Sequence, residues 1–348
     1  MISINYGSFR LFTRLSSISA LMFSVVLAAM AQAMYLAEPD RGQTDDIPYQ
    51  RYFTRDAFGR RIAFYVTKST ESAPRLPLAV SILGSGSDSN FIRRNDRILD
   101  GHRALRNVFA GRAFVLIVEK PGVSFCEHPK RAGTSSGASE EFRREYTLDR
   151  WAEAISAAVR AAHTLPFVDA ARTLVPGHSE GGLVACRVAA MNAFVTHVAS
   201  LAGGGPTRLF SLIELARAGD IYGDAGELPD RREARLLSDW AAVMRDPDST
   251  AEDFLSHPYR AWTSFAKSSC MEELLRTRAR VYIAQGTEDH NVAPVTFEIL
   301  RAHLLAHGRD VTADRVTGAD HGFSFPAEPK RDGQSELFGR IRGWFLGE

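Results

Sequence analysis

Thr173–Ala190 reads TLVPGHSEGGLVACRVAA, and it sets Ser179 between two glycines in Gly177-His178-Ser179-Glu180-Gly181. A Gly-x-Ser-x-Gly match alone says little, because ordinary Gly and Ser usage produces one by chance in roughly one chain of this size in ten. A second match is present. Gly133–Gly137, GTSSG, fits the same expression around Ser135, but it lies in a polar Gly/Ser/Thr-rich stretch with no apolar run before it and no helix after it, and reads as a flexible loop. Context separates the two. Arg172–Val175 is a short strand-like run, and Gly182–Met191 is a small, apolar helix with Leu183, Val184, Arg187, Val188 and Met191 at helical spacing. Ser179 is therefore expected on a sharp turn between a buried strand and a helix. Gly177 and Gly181 would remove the Cβ atoms that collide where the two cross.

Outward from this turn the pattern repeats. Arg51–Lys68 reads as two antiparallel strands around a turn at 56–60, with Ile62, Phe64 and Val66 alternating against Ala63 and Tyr65. Short apolar runs at 77–83, 113–119, 172–176, 197–202, 280–285 and 311–316 are mostly separated by helical patterns, of which 151–164, 294–307 and 335–345 are the clearest. Strands alternating with helices predict an α/β fold, a mostly parallel sheet with helices on both faces. One connection is too long for a crossover. Residues 206–278 contain an amphipathic helix with Leu236, Leu237, Trp240, Val243 and Met244 on one face, and Leu209–Ala216 suggests another. This segment reads as an inserted helical lid dividing a core of 34–205 and 279–348, with the glycines at 203–205 as a hinge before it.

Residues 1–33 carry Arg10 and Arg14, an apolar stretch centred on 21–30, and Ala31-Gln32-Ala33. That is a secretory signal pattern with a small-x-small cleavage site after Ala33, the alternative being an uncleaved signal anchor. The expected location is secreted or periplasmic, with no stable membrane span after cleavage. Cleavage removes two positive charges and no negative ones from a formal net charge of +1, so the remaining near-neutral chain offers no electrostatic case for nucleic acid. The three cysteines, Cys126, Cys186 and Cys270, are too few and too scattered for a disulfide framework or a zinc site. Export would permit a Cys126–Cys270 bridge.

A serine needs a base to attack at neutral pH, and the base needs an orienting acid. VYIAQGTEDHNVAP runs from a strand into a loop holding Asp289, with Glu288 as the rival acid, and VTGADHGFSFP places His321 after the next strand. The order Ser179, Asp289, His321 is that of the α/β-hydrolase architecture. With these pieces in place the chain resembles an α/β-hydrolase of the serine aminopeptidase and esterase-like group over nearly all of its length past residue 33. The resemblance rests on the Ser179 turn, on Gly286–Asp289 as a Gly-x-x-Asp loop and on Asp320-His321. It implies an α/β-hydrolase fold and an exported serine hydrolase that cleaves a carboxylic ester through an acyl-enzyme on Ser179. A serine peptidase of the aminopeptidase-like kind and a catalytically silent binding protein on the same fold are the alternatives.

SILGSGSDSN stands where the group has a His-Gly-x-Gly-type turn, with Leu83 in place of histidine, so the resemblance assigns the oxyanion hole to the backbone N–H groups of Ser85 and Glu180. EKPGVSFCE, 119–127, is similar to the group's Asp-x-Arg-Gly-x-Gly-x-Ser segment, but has Pro121 for arginine and Phe125 for a small residue. No metal or organic cofactor is implied; the partner is a small acyl ester or short peptide. His303 and His307, one helical turn apart without an acidic or cysteine partner, read as a solvated helix end. Glu180 reads as a solvated or salt-bridged carboxylate, with a place facing the substrate as the alternative; a peptide's free amine would need an acidic anchor, for which Glu180, Glu214, Asp220 and Asp224 are candidates. Phe210, Trp240, Phe254 and Trp262 suit either an apolar acyl pocket or packing of the lid.

Overall fold

A computed structural model describes residues 36–69, 74–224 and 226–348. The segment read as an export signal lies outside these residues. Nine strands form one sheet: β1 (Glu38–Pro39), β2 (Tyr49–Arg55), β3 (Arg61–Thr67), β4 (Leu76–Val80), β5 (Phe114–Val118), β6 (Val168–His178), β7 (His197–Leu201), β8 (Arg280–Gly286) and β9 (Val311–Val316). Their spatial order is β1-β2-β3-β5-β4-β6-β7-β8-β9. The first three pairs in this order are antiparallel and all pairs from β5 onward are parallel. The hairpin expected at 51–68 is β2–β3.

The helices are α1 (Arg103–Phe109), α2 (Glu140–Glu145), α3 (Leu148–Ala162), α4 (Glu180–Met191), α5 (Arg208–Ala218), α6 (Pro229–Val243), α7 (Tyr259–Ala266), α8 (Cys270–Arg276), α9 (Val295–Ala306) and α10 (Gly333–Leu346). Successive strand residues point to opposite faces, so each parallel strand feeds two cores. Leu78 and Val80 of β4, Leu116 of β5 and Val281 and Ile283 of β8 pack with α3, α4, α8 and α9. Ala79, Val115, Ile117, Tyr282 and Ala284 face the other way, onto Phe109 of α1 and Leu337, Ile341 and Phe345 of α10. A run that is apolar at every position is what a strand covered on both faces requires.

Within 206–278, Leu212, Ala216, Leu236, Val243, Phe254 and Trp262 form a separate apolar cluster, with Trp240 packed against it. Phe254 and Trp262 are thus spent on packing. Phe265, Cys270 and Leu274 from the same stretch belong instead to the main core.

One possibility left open by the sequence is closed, and one expectation is corrected. Cys126 packs on the α1/α10 side of the sheet and Cys270 on the opposite side, so these two cannot pair; all three cysteines are free thiols. The GTSSG stretch is a loop, but a tied one. Ser135 is fully buried, its N–H donates to the Ser256 carbonyl at 3.0 Å, and its Oγ lies 2.9 Å from Nδ1 of buried His257. Polarity of sequence predicted exposure, whereas these hydroxyls and amides serve as buried partners for the 253–258 hairpin. Ser135→Ala strands the His257 nitrogen without a partner and should lower stability by about 1–3 kcal/mol. A urea midpoint unchanged from wild type would show that this bond contributes nothing.

Candidate active site

β6 runs directly into α4, and the single residue between them is Ser179, at φ 58° and ψ −128°. A non-glycine residue at positive φ with such a ψ is strained, and it is held there by its surroundings. A Cβ on Gly177 would lie 1.9 Å from the Gly181 carbonyl oxygen, and one on Gly181 2.3 Å from the Leu83 carbonyl oxygen. The two glycines are therefore required, as the sequence suggested, by the closeness of strand, helix and the loop after β4. That loop passes the serine at Gly84, where an added Cβ would meet the Ser179 Cβ at 3.1 Å. Ser179 itself is nearly buried.

The loops after β8 and β9 bring Asp289 and His321 together, with His321 Nδ1 2.8 Å from Asp289 Oδ2. Asp289 also accepts from Gln285 Nε2 at 2.6 Å and from the backbone N–H groups of Asn291 and Val292 at 2.8 and 2.9 Å. Burial alone would raise its pKa, but the His321 hydrogen bond and charge, with the two backbone amides, hold the carboxyl below its ordinary value. Glu288, the rival acid, is exposed and accepts from its neighbour Thr287. A carboxylate only accepts, so Nδ1 carries the ring proton and Nε2 of the neutral imidazole is left as the acceptor.

Ser179 Oγ makes no hydrogen bond to the His321 ring in this state; the two loops are joined one residue earlier. His178 Nε2 donates to the His321 carbonyl at 2.7 Å, and the two imidazole rings lie 4.7 Å apart. Burial, and next the His321 charge, push the His178 pKa down to about 4, so this ring is neutral and serves as a fixed brace. Asp320 Oδ1 accepts from the Gly322 and Ser324 amides and shapes the rest of the histidine loop. Phe323 and Phe325 are buried in the core below.

The amides assigned to the oxyanion hole sit on either side of the serine. Among the described residues neither the Ser85 nor the Glu180 N–H has a protein acceptor. Glu180 is the first residue of α4, whose N-terminal dipole end faces the same space. Its side chain corrects the sequence reading: the carboxyl is buried, not solvated, and accepts from the Tyr146 hydroxyl. Burial raises its pKa, against the opposing influence of Arg208, the Tyr146 hydrogen bond and Lys120. A space of about 20 Å³ beside it is lined by Leu183, Thr207, Arg208 and Phe265. His303 and His307 lie against each other at the end of α9 with their rings tilted by 42°, and His307 Nδ1 is 2.9 Å from the His303 carbonyl.

Four residues of this site were not singled out from the sequence. His178 lay inside the motif, and Gln285 immediately before the Gly-x-x-Asp loop, so adjacency was their signal. Lys120, in EKPG, sends its ammonium to the Gly84 and Gly86 carbonyls. Tyr146 carried no signal, since its hydroxyl finds Glu180 only through the fold.

No protein-family model matches the chain, and no curated protein is similar to it in sequence. Solved structures do match in shape. Est1E from Butyrivibrio proteoclasticus superposes with a TM-score of 0.52 at 17% identity, covering 86% of this chain and 99% of its own. The α/β hydrolase GrgF from a Penicillium species gives 0.55 at 12% identity over 87% of this chain and all of its own. An acylaminoacyl peptidase from Pyrococcus horikoshii gives 0.57 at 13% identity over 92% of this chain, which spans only 43% of that peptidase. The sheet order, the sharp turn at Ser179 and these likenesses together establish the α/β-hydrolase fold.

Proposed function

We propose that the chain is a serine hydrolase acting on small carboxylic esters through an acyl-enzyme on Ser179. The observation that carries this reading is a strained serine at the C-terminal end of β6, with the loops after β8 and β9 holding an imidazole Nδ1 2.8 Å from a buried aspartate and His178, the residue before the serine, bonded to the His321 carbonyl. Ligands of open α/β sheets bind at that end. His321 Nε2 takes the proton from Ser179 Oγ as it attacks the acyl carbon, and Asp289 fixes the tautomer and offsets the charge that forms. Hydrogen bonds of this kind often close only when substrate is bound. The Ser85 and Glu180 amides, with the α4 dipole, hold the oxyanion. His321 returns the proton to the leaving alcohol, and water repeats the cycle on the acyl-enzyme.

Ester is favoured over peptide by the state of Glu180. An aminopeptidase requires a free carboxylate for the substrate amine, and the one beside Ser179 is buried and bonded to Tyr146. In this reading 206–278 is the lid that selects the substrate, and residues 1–33 are an export signal. Sequencing the mature N-terminus should find residue 34 first; an intact start in a membrane fraction would make the segment an anchor.

Ser179→Ala should abolish both ester turnover and labelling by a fluorophosphonate, whereas Ser135→Ala should keep the labelling. Asp289→Asn should fold normally and acylate roughly 10⁴-fold more slowly, with Glu288→Gln mild. The reverse ranking in either pair would move the site. On substrates, p-nitrophenyl esters of short acids should give higher kcat/KM than any amino-acid p-nitroanilide, because the anilide's poorer leaving group also demands protonation of the departing amine and a grip on the chain to either side. One anilide that outruns every ester would make the chain a peptidase.

A further inference from the structure

The loop that carries Ser85 past Ser179 is held from beneath. Lys120, at the end of β5 and almost fully buried, donates from Nζ to the Gly84 carbonyl at 2.7 Å and to the Gly86 carbonyl at 2.6 Å. The Trp151 ring covers the ammonium, its centroid 4.7 Å from Nζ. From another side the Tyr146 hydroxyl accepts the Gly86 N–H at 3.2 Å and donates to Glu180. The carbonyl of Gly84 and the N–H of Ser85 belong to one peptide unit, and the described residues contain no cis bond. A trans unit points these two groups in opposite directions. Fixing the carbonyl on Lys120 therefore turns the Ser85 N–H away from the lysine.

We propose that Lys120 is a positioning residue: its ammonium holds the Gly84 and Gly86 carbonyls so that the Ser85 N–H is presented to the oxyanion formed at Ser179. The inference rests on the Ser179 reading above. Lys120 touches no substrate atom and acts through the loop. A merely space-filling role would be met by an apolar chain of equal length, without a buried cation and its desolvation.

Charge is what the clamp depends on. Burial, above all, pulls the Lys120 pKa down to about 8, against the carboxylates of Glu180, Asp88 and Glu119, which favour the charged form. Of the other groups around it, Glu119 is raised to about 7 by burial, and His102 and His257 are lowered to about 3, by burial first and then by neighbouring cations. The Tyr146 phenol is pushed far above its ordinary value by burial and by Glu180. Below pH 8 the ammonium is charged and the clamp is strong. Above it the neutral amine keeps bonds roughly half as strong, since charge-assisted bonds are about twice neutral ones.

The test compares wild type, Lys120→Met and Lys120→Arg on p-nitrophenyl acetate from pH 6 to 10, with affinity for a trifluoromethyl ketone whose adduct carries an oxyanion. Lys120→Met should lower kcat about 10²–10³-fold, the effect of losing one oxyanion donor, leave KM within a few-fold, and weaken the ketone in proportion. Wild type should lose kcat on an alkaline limb near pH 8, and Lys120→Arg, which cannot deprotonate, should lack that limb. A folded Lys120→Met with kcat within threefold of wild type overturns the proposal. If that variant does not fold, a wild-type kcat that is flat from pH 7 to 10 does so. A wild type that neither takes a fluorophosphonate nor hydrolyses any ester removes the hydrolase reading and this one with it; labelled, active wild type beside an unaffected Lys120→Met removes this one alone.

Discussion

The crossing of β6 and α4 at Gly177 and Gly181 is the constraint on which the rest of the site depends. A Cβ at either position would fall inside a neighbouring backbone atom's radius, so no side chain is compatible with this approach. The closeness forces the reversal of the chain into one residue, and that residue, Ser179, takes a positive φ. Strain of this kind costs of order 1–3 kcal/mol and survives only where packing over-determines it. Here the packing is a helix buried against the sheet by Leu183, Val184, Cys186 and Val188, with the loop after β4 pressed on its first turn. The same crossing points the serine hydroxyl and the α4 N-terminus toward the ends of the parallel strands, where the other loops converge.

Convergence is fixed by polar contacts rather than by apolar packing. His178 holds the histidine loop through its carbonyl, Gln285 and two backbone amides hold Asp289, and Lys120 and Tyr146 hold the loop of Gly84 to Gly86. Each brace comes from a residue adjoining a strand end or from the helix beside it. Loops positioned by such contacts keep their shape without relying on their own sequence preferences, which is why Leu83 stands where a histidine is usual without disturbing the turn.

Legibility from sequence followed the range of the interaction. Strands apolar at every position, helices with a 3.6-residue period, and two glycines flanking a serine are local signals, and they gave the sheet, the helices and the turn within a few residues. Asp289 over Glu288 was readable from a Gly-x-x-Asp spacing, because the loop geometry that aims one side chain inward is itself short-range. Ser135 and Glu180 were misread, and the pairing of Cys126 and Cys270 was left open, for the opposite reason. Whether a polar group is buried depends on what packs over it, and for Ser135 that is His257, far along the chain. In sequence nothing forbids a bond between Cys126 and Cys270; the sheet that lies between them does.

The segment 206–278 marks where this reasoning reaches furthest into the fold and least into substrate choice. Its helices close a small core of their own around Leu236, Phe254 and Trp262, so its apolar residues are explained by packing and point to no ligand. It is joined to the rest by Phe265, Cys270 and Leu274, which pack in the main core, and by polar contacts: Arg143 to Asp253 at 2.6 Å, Arg131 to Ser256 at 2.7 Å, and His290, next to Asp289, to Asp220 at 2.8 Å. Exposed ion pairs contribute little each, so the apolar anchors Phe265, Cys270 and Leu274 hold the segment more firmly than these pairs do. The segment thus has a core of its own around Leu236 and is also rooted in the main core at its C-terminal end. In the proposed hydrolase, chemistry is then fixed by the braced loops below, and selection is left to the layer that rides on them.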